Sequence, residues 1–532
     1  MTGSLARGVL VVLAAAALLS IGISAAGAGS AATPPIRNGG TLVVGLAEDP
    51  DALDPTLART FVGRIVFAHM CEKLYDLNAR LQIVPQLAAA LPQISRDKLT
   101  YTIRLRSGVR FNDGTPMNAQ SVKDSLDRHR TLRGSVRASE ISPISAVNVT
   151  GPLTVQLKLT QPFSPLTAQL ADRAGMILSP KQVAALGERF ATNPVCVGPF
   201  EYTSRVAGDR ITLTKSNDYY DRAKVKLNQI VFRIITDPGA RAQSLRAGDI
   251  HVLDRMAATD VASIERDRNL KILKVTTIGY QGITLNIGNK NGLLKGYENT
   301  GMPLAKSQFL RTAFDLALDR TAINRVVFNG TNLPDCYPIS PASPWYAKTT
   351  KGLQCNLRGN QNLARQLVTA SKVPTPIKVT LTIGTDPVAA RLGQVIQSMV
   401  QPVGFDVELA PTEFVTALNR ADAGRFEAFA VGWSGRVDPD GNVYGFVHSK
   451  GTLNNAGFVS PQLDLVLDNA RKATTAKARE TLYSAAMRIV HRQRPLIYLW
   501  HPVQRDGVSG KVGGVQMYAD GLIRAYFGGF TS

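Results

Sequence analysis

Residues 99–128 read LTYTIRLRSGVRFNDGTPMNAQSVKDSLDR, and they contain the clearest structural pattern in the chain. Tyr101, Ile103 and Leu105 alternate with polar residues, so one face of the segment is apolar and the other is hydrated. Alternation with a period of two residues predicts a half-buried β-strand. The NDGTP sequence at 112–116 then predicts a turn, because Asn, Asp, Gly and Pro all favour turn conformations.

A helix is predicted directly after this turn. Asn118 can accept hydrogen bonds from the free backbone N–H groups at a helix start, and Val122 and Leu126 follow at helical spacing. Strand and helix patterns alternate through the rest of the chain as well, which predicts the α/β class.

The composition bounds the class of protein. At 532 residues the chain is longer than one ordinary domain, and two or three domains are expected. Apolar residues make up 44% and charged residues 19%, which is typical of a globular protein with a large core. The net charge of +21 could indicate a nucleic-acid partner, but the Lys and Arg residues are scattered and form no basic run. We therefore expect a globally basic surface and no nucleic-acid binding.

Residues 1–32 have the pattern of a secretory signal peptide. Arg7 is their only charged residue, a largely apolar run covers 8–23, and small residues end the segment. This pattern predicts export and cleavage after Ala32. An uncleaved anchor is the alternative, but a strongly apolar core of about 15 residues is short of the roughly 20 needed to span a bilayer. No cysteine precedes Cys71, so no lipid anchor is expected. An exported protein without an anchor needs an outer membrane to retain it, and the periplasm is therefore favoured.

The four cysteines fit an oxidising compartment, where disulfides persist. Cys336 and Cys355 flank a proline-containing loop that a bridge would staple, which leaves Cys71 and Cys196 as the second pair. Four cysteines allow three connectivities, and the sequence does not choose among them. Free buried thiols are the alternative. No CxxC pair occurs, so a redox or metal role has no support.

Catalytic and metal-binding motifs are incomplete. The six histidines form no HExxH or other ligand spacing. GWSG at 432–435 approaches a nucleophile elbow, but Arg436 stands where the last Gly is required. DPDGN at 438–442 approaches a calcium loop, but Val443 and Ser449 stand where Gly and Glu are required. We therefore expect no metal, no cofactor and no enzymatic activity.

Several blocks of the chain resemble one family signature. VPQLA at 84–88, LRSGVRFNDGTP at 105–116 and AQSVKDSLDR at 119–128 resemble the signature of the family 5 extracellular solute-binding proteins, the peptide- and nickel-binding receptors of ABC importers. Leu91 stands where that family has a Trp. Further resembling blocks cover nearly the whole mature chain: GGTLVVGLAEDPDALDP at 39–55, VGPF at 197–200, NDYY at 217–220, DPGARAQSLRAGD at 237–249, LRTAFDLALDR at 310–320 and VGWSGRVDPD at 431–440.

The resemblance implies an α/β periplasmic-binding-protein fold, with two lobes that are joined by two crossing strands and with a small inserted domain. After the signal peptide, the expected bounds are 33–75, 190–285 and 496–532 for lobe I, 76–189 for the inserted domain and 286–495 for lobe II. Such a receptor closes on a solute and delivers it to an ABC permease in the inner membrane, because the solute binds the closed state better than the open one. We expect a monomer whose ligand is a small molecule or a short peptide.

The resemblance also identifies a ligand loop at 431–440. Trp433 offers a flat apolar face, Ser434 offers a hydroxyl group, and Arg436 offers a planar fork of donors that suits a carboxylate. The alternative is a structural turn in which Trp433 belongs to the core and Arg436 pairs with Asp438 or Asp440. The candidate ligand contacts are Trp433, Ser434, Gly435, Arg436, Asp438, Glu48 and Gln281.

Arg436 departs from the family pattern. The dipeptide and oligopeptide binders have an Asp at this place, which pairs with the α-amino group of the peptide. The dipeptide receptors also have an Arg and a Tyr for the peptide carboxylate, where this chain has Ile383 and Thr385. Since like charges repel strongly in a closed cleft, an ordinary dipeptide in the usual direction is disfavoured. An acidic solute, an opine-like amino-acid conjugate, a modified peptide or a reversed pose is favoured, and nickel is disfavoured because no ligand cluster is visible.

Two other functions stay open from the sequence alone. A secreted enzyme on a binding-protein scaffold would turn over a candidate ligand. An envelope chaperone or interaction protein would bind unfolded chains and no small solute.

N-terminal sequencing of the exported protein should find a mature chain that begins near Thr33, because the charge, the apolar core and the small residues before it fit a cleaved signal peptide. The same protein should be in the soluble periplasmic fraction. A membrane-bound protein that retains Met1 would contradict this prediction.

Overall fold

The structure is a computed structural model, and it describes residues 35–531. The predicted signal peptide at 1–32 lies outside the described residues. Within 35–531, no helix is both long enough and apolar enough to cross a membrane.

Strands and helices alternate along the chain. The strands are β1 (Thr41–Leu46), β2 (Tyr75–Leu77), β3 (Ile83–Pro85), β4 (Gln93–Ile94), β5 (Thr100–Arg104), β6 (Ile144–Gly151), β7 (Thr154–Leu159), β8 (Phe200–Val206), β9 (Arg210–Lys215), β10 (Gln229–Ile234), β11 (Val252–Leu253), β12 (Leu270–Thr276), β13 (Tyr280–Leu285), β14 (Leu333–Pro334), β15 (Ile377–Ile383), β16 (Phe405–Pro411), β17 (Ala428–Trp433), β18 (Leu496–His501), β19 (Val503–Ser509), β20 (Val512–Gly513), β21 (Gln516–Met517), β22 (Ile523–Arg524) and β23 (Gly529–Phe530). The helices are α1 (Phe61–Met70), α2 (Ala119–Thr131), α3 (Leu166–Gln169), α4 (Pro180–Leu186), α5 (Pro238–Ala247), α6 (Val261–Glu265), α7 (Pro303–Lys306), α8 (Gln308–Ala317), α9 (Arg320–Phe328), α10 (Tyr346–Thr349), α11 (Gln361–Ala370), α12 (Pro387–Val400), α13 (Phe414–Asp422), α14 (Asp440–Val447), α15 (Pro461–Lys472) and α16 (Ala476–Gln493).

Three sheets organise the fold. A seven-stranded sheet has the order β12-β19-β11-β1-β10-β9-β8, a six-stranded sheet has the order β14-β18-β13-β17-β15-β16, and a four-stranded antiparallel sheet has the order β4-β5-β7-β6. In the first sheet β1 runs parallel to β10, with Thr41 opposite Gln229. In the second, β13 runs antiparallel to β17, with Tyr280 opposite Trp433. Each sheet has its own hydrophobic core, and the predicted α/β class is confirmed.

The chain passes between the two large sheets twice. β12 of the seven-stranded sheet leads into β13 of the six-stranded sheet, and β18 leads back into β19. The two crossings touch, because the backbone N–H of Thr277 donates to the carbonyl oxygen of Pro502 at 2.9 Å. The Nδ1 atom of His501 also lies 2.7 Å from the carbonyl oxygen of Gly279. These are the two crossings that the family resemblance implies.

The sheet pairing differs from the predicted domain bounds at two strands. Predicted lobe I includes 280–285 and 496–501, yet β13 and β18 pair within the six-stranded sheet. Both strands are buried along most of their length, and a buried strand has the same sequence pattern in either sheet. If the two lobes are divided according to strand pairing, the boundaries between them fall before β13 and after β18. The other predicted domain bounds stay a prediction.

The segment at 99–128 forms the predicted strand, turn and helix. β5 places Tyr101 and Ile103 in the core of the four-stranded sheet. α2 begins after Asn118, whose side chain accepts a hydrogen bond from the backbone N–H of Ser121 at 3.0 Å. The sequence predicts these elements correctly because alternation and capping are local properties.

The structure joins Cys71 to Cys196 and Cys336 to Cys355, with Cα–Cα distances of 5.0 and 5.6 Å. Cys71 directly follows α1 and lies in the core of the seven-stranded sheet. The second bridge closes the loop between β14 and α11. The described residues contain no free cysteine.

Buried histidines make the core sensitive to acid. The Nδ1 atom of His69 lies 2.8 Å from the carbonyl oxygen of Ile65, and its Nε2 accepts a hydrogen bond from the backbone N–H of Ala525. The neutral ring is therefore held in one tautomer. Burial lowers the pKa of His69 to about 4, and burial likewise lowers the pKa of His129 to about 4.

Urea unfolding should show that each of these two histidines contributes about 2 kcal/mol less stability at pH 5 than at pH 7, because the unfolded chain binds protons below about pH 6.5 and the folded protein does not until about pH 4. The contribution is complete above pH 6.5 and is lost as the pH falls toward 4. The His129→Gln variant should therefore lose about 2 kcal/mol less than wild type over this pH step. Equal losses in the two proteins would contradict a neutral buried His129.

Candidate ligand-binding site

The predicted ligand loop follows β17 and rests on the first crossing between the large sheets. β17 ends at Trp433 and α14 begins at Asp440, so the loop is short. A Cβ atom on Gly279 would lie 2.4 Å from the carbonyl oxygen of Trp433, and one on Gly435 would lie 2.2 Å from the carbonyl oxygen of Ile278. Gly435 also has a φ of +83°, which favours glycine. Glycine at both positions lets the loop and the crossing touch backbone to backbone.

Asp438 and Asp440 are paired with arginines of the helices that follow. Arg479 of α16 donates two hydrogen bonds to Asp438, at 2.8 and 2.7 Å. Arg471 of α15 donates two to Asp440, at 2.7 and 2.9 Å. All four side chains are buried. The pairing of Arg436 with either Asp, which the sequence left open, is not what the structure contains, and these two pairs instead hold the end of the loop in place.

Arg436 is 5% exposed and packs on its neighbour Trp433, with its guanidinium carbon 4.3 Å from the ring centroid. Its Nη1 donates to the carbonyl oxygen of Gly435 at 2.7 Å. Its Nε lies 3.4 Å from Oδ2 of Asp172. Within the described residues, the Nε and Nη2 atoms of Arg436 make no hydrogen bond. The buried guanidinium group of Arg436 can therefore donate further hydrogen bonds.

Asp172 links the ligand loop to α1, which packs against the seven-stranded sheet. Arg64 of α1 donates to Oδ2 of Asp172 at 2.6 Å and to the hydroxyl oxygen of Ser434 at 3.1 Å. Arg436 approaches the same carboxylate oxygen. The buried carboxylate of Asp172 therefore contacts one arginine from the helix beside the seven-stranded sheet and one from the loop that follows the six-stranded sheet's β17. Ser434 thus contributes to this link as a hydrogen-bond acceptor.

Two further arginines, Arg137 and Arg173, are fully buried beside this link. Both reach the carbonyl oxygen of Ala58, which lies 3.4 Å from Nη2 of Arg137 and 2.7 Å from Nη1 of Arg173. Arg137 also donates to Glu140 at 2.5 Å, and Nε of Arg173 lies 3.4 Å from Asp172. We call the following four residues the arginine cluster: Arg64, Arg137, Arg173 and Arg436.

Burial and the close approach of several charges shift the pKa values of residues in and beside the arginine cluster. Burial lowers the pKa of Arg436 to about 10, while Asp172 acts to raise it and Arg64 to lower it. Burial, together with Arg137 and Arg436, lowers the pKa of Arg173 well below its usual value. Burial alone would raise the pKa of Asp172, but Arg436, Arg64 and Arg173 hold it well below its usual range. Asp172 is therefore an ionised carboxylate among competing cations.

The two remaining candidate contacts have different surroundings. Gln281 lies in β13 beside Gly432, where a Cβ atom would come within 2.3 Å of the Gln281 side-chain oxygen. Glu48 follows β1 and accepts a hydrogen bond from Arg255 at 2.8 Å. The structure thus brings Gln281 to the ligand loop and engages Glu48 in an ion pair of its own. Among the described residues, no three His, Cys, Asp or Glu side chains are grouped so that they could hold a metal ion.

Sequence reasoning missed Arg64, Arg137, Arg173 and Asp172. Arg64 is the one Arg in the largely apolar helix FVGRIVFAHM, and Asp172 and Arg173 interrupt a largely apolar segment at 166–178. Because a buried charge requires a partner, charges inside apolar segments were the available signal for these three residues. Arg137 lies in the segment GSVRASE, which gives no such signal.

Comparison with known proteins identifies the family. Residues 82–454 match the family model described as bacterial extracellular solute-binding proteins, family 5 Middle. This match spans more than half of the chain, and the protein therefore belongs to the family 5 bacterial extracellular solute-binding proteins. The family resemblance drawn from the sequence is confirmed, and with it the class of substrate-binding proteins of ABC importers.

Individual relatives agree with this assignment. The glutathione-binding protein GsiB of Escherichia coli K12 is 26% identical over 471 residues, which cover 86% of this chain and 88% of the relative. The periplasmic binding protein AgaA of A. tumefaciens R10, solved with agropinic acid, has a TM-score of 0.80 and 24% identity, with 89% of this chain and 94% of that chain covered. DppA of Helicobacter pylori, solved with the peptide STSA, has a TM-score of 0.83 and 23% identity, with 93% and 99% covered. These structural neighbours are two-lobed, so the predicted two-lobed fold is confirmed.

The Asp438→Asn variant should lose about 3–5 kcal/mol of unfolding free energy, because it leaves the buried guanidinium of Arg479 without its carboxylate. Urea unfolding measures this loss. As a control, Asp209→Asn removes a carboxylate from an exposed pair with Arg210 and should change the free energy by less than about 1 kcal/mol. Wild-type stability of Asp438→Asn would contradict a role for Asp438 in holding the loop.

Proposed function

We propose that this protein is the periplasmic component of an ABC importer for a small acidic solute, either a peptide-like compound or an amino-acid conjugate. It captures the solute between its lobes, closes on it and delivers it to the permease complex of the inner membrane. It acts as a monomer and performs no chemistry. The observation that carries this proposal is Arg436, a buried cation at the contact between the ligand loop and Asp172 whose Nη2 atom has no partner among the described residues.

Polar contacts between residues far apart in sequence support capture by closure. The side-chain amide of Gln169 donates to Asp440 at 3.0 Å, and the hydroxyl oxygens of Ser139 and Thr452 lie 2.8 Å apart. Water can satisfy the same groups, so each hydrogen bond contributes only about 0.5–1.5 kcal/mol net. A closed state held by such contacts has nearly the same free energy as an open state. A solute that binds the closed state better therefore shifts the population toward it.

The charge of the loop supports an acidic solute. A guanidinium group can bind a carboxylate through two parallel hydrogen bonds, and Arg436 occupies the place where the family's peptide binders have an Asp. Ile383, which stands where the dipeptide receptors have a carboxylate-binding Arg, is buried in the core of the six-stranded sheet. The site therefore offers a cation where a peptide amine would need an anion.

The relatives also support this range of solutes. GsiB is named for glutathione, AgaA was solved with agropinic acid, and DppA was solved with a peptide. Peptide-like and acidic compounds are thus represented among the ligands of similar proteins, and Arg436 favours the acidic members of that range for this chain.

The Arg436→Met variant should bind the natural solute about tenfold to a hundredfold more weakly than wild type, because a charge-assisted hydrogen bond contributes about 1.5–3 kcal/mol. The solute is obtained by purifying the wild-type protein from the periplasm without unfolding, releasing the bound compound with denaturant and identifying it by mass spectrometry. Calorimetry with that compound then compares the two proteins.

The control is Arg391→Met, which makes the same change at an exposed arginine on α12 and should bind as wild type does. Small-angle scattering should show a smaller radius of gyration when the solute is added back to stripped protein. Equal affinities of wild type and Arg436→Met would contradict the acidic assignment, and an unchanged radius of gyration at saturation would contradict capture by closure.

A further inference from the structure

The arginine cluster contains more positive charge than the protein neutralises. It contributes four guanidinium groups, and the carboxylates paired with them in the described part of the chain are Asp172 and Glu140. Two positive charges are therefore in excess. The four arginines are at most 5% exposed, so bulk water contributes little to their solvation.

Several donor atoms of the cluster have no acceptor. The Nε atom of Arg137 and the Nη2 atoms of Arg173 and Arg436 are buried and have neither a hydrogen bond nor an ion pair within residues 35–531, whereas the Nε atoms of Arg173 and Arg436 each lie 3.4 Å from a carboxylate oxygen of Asp172. Burial of an unpaired charged donor is strongly unfavourable. Three such donors in one cluster point to an acceptor group that the described residues do not supply.

Two other buried arginines of this protein are each matched by a carboxylate. Arg479 binds both oxygens of Asp438, and Arg524 binds both oxygens of Asp520 at 2.9 and 2.6 Å. The guanidinium group of Arg173, in contrast, makes its one hydrogen bond among the described residues to the neutral carbonyl oxygen of Ala58, and its Nε is 3.4 Å from Asp172, which Arg64 and Arg436 also approach. Arg241 and Arg311 are also buried and bind backbone carbonyl oxygens only, but neither belongs to a group of four. The concentration of positive charge in one place therefore distinguishes this cluster.

We propose that the arginine cluster binds a doubly negative group of the solute, either a pair of carboxylates or a phosphate ester. This inference rests on the proposed function and narrows its substrate class from an acidic solute to a dianion. Two negative charges would neutralise the excess, and carboxylate or phosphate oxygens would accept from the planar guanidinium forks in the geometry that arginine favours.

The origin of the four arginines also ties the dianion to closure. Arg436 lies on the loop after β17 of the six-stranded sheet, whereas Arg64 lies on α1 beside the seven-stranded sheet and Arg173 follows α3. Bringing these cations together without an anion is electrostatically unfavourable. Arg137 and Arg173 both bind the carbonyl oxygen of Ala58, close to α1, so opening would separate Arg436 from the other three arginines. A dianion held between Arg436 and those three therefore favours the closed state over the open state.

The first test uses thermal unfolding of the mature protein after bound solute has been removed. The probes are glutarate, inorganic phosphate, acetate and chloride at equal ionic strength. Glutarate or phosphate should raise the midpoint temperature, and acetate and chloride should not. A larger effect of glutarate would assign the site to a dicarboxylate, and a larger effect of phosphate would assign it to a phosphate ester. Equal effects of all four anions would overturn the proposal.

The second test uses the Arg173→Met variant, which removes one excess charge and leaves Asp172 paired with Arg64. Without added anion, the variant should unfold at the same temperature as wild type or higher, whereas loss of a purely structural arginine would lower the midpoint. The concentration of the effective dianion that gives a half-maximal shift should rise at least tenfold. Arg189→Met removes the same charge from an exposed position and should respond as wild type does.

A wild-type dianion response in Arg173→Met would overturn the proposal. If that variant does not fold, the comparison of the four anions on the wild-type protein decides the question alone. A natural solute that closes the lobes but carries no charge or one charge would overturn this inference and leave the proposed function in place. Failure of any solute to close the lobes would instead contradict the proposed function.

Discussion

The arrangement of the site depends on one buried carboxylate, that of Asp172. It accepts a hydrogen bond from Arg64 and lies within 3.4 Å of Arg436, so it joins the helix beside the first sheet to the loop of the second. A buried carboxylate is unfavourable unless cations surround it, and here the cations outnumber the carboxylates. The same interaction that brings the two sheets together therefore leaves positive charge that the carboxylates of the described residues do not balance, and we propose that an anion of the solute balances it. The proposed closure of the lobes and the proposed selection of an acidic solute both follow from this one charge imbalance.

The ligand loop can transmit a change between the lobes because its backbone rests on a crossing. Gly279 and Gly435 allow contact without side chains between the crossing and the loop. At the other end of the loop, the buried pair of Asp438 and Arg479 fixes the start of α14. A rotation at the crossing would therefore move Arg436 toward or away from Asp172 as a unit with the six-stranded sheet. Such rigid support is what a binding site on a loop requires.

The sequence predicts the local elements and the family better than it predicts the site. The strand and the capped helix at 99–128 follow from alternation and from Asn118, which are properties of a few adjacent residues. The resemblance to the family predicts that the loop at 431–440 binds the ligand, and this role stays a prediction. The surroundings of Arg436 could not be predicted in the same way. Its partner Asp172 and the neighbouring cations Arg64 and Arg173 are far from it in sequence and meet it only in the folded chain. The pairing of Asp438 with Arg479 was missed for the same reason, and β13 and β18 were assigned to the other sheet because buried strands look alike.

The most direct measurement of the central claim is an electron-density map of crystals grown from protein that was purified from the periplasm without unfolding. The account predicts density for an anionic group of a bound solute, with its oxygens at about 3 Å from the Nη2 atoms of Arg173 and Arg436, which have no hydrogen-bond partner among the described residues. Water molecules alone at those nitrogens, with the solute bound elsewhere in a closed protein, would contradict it.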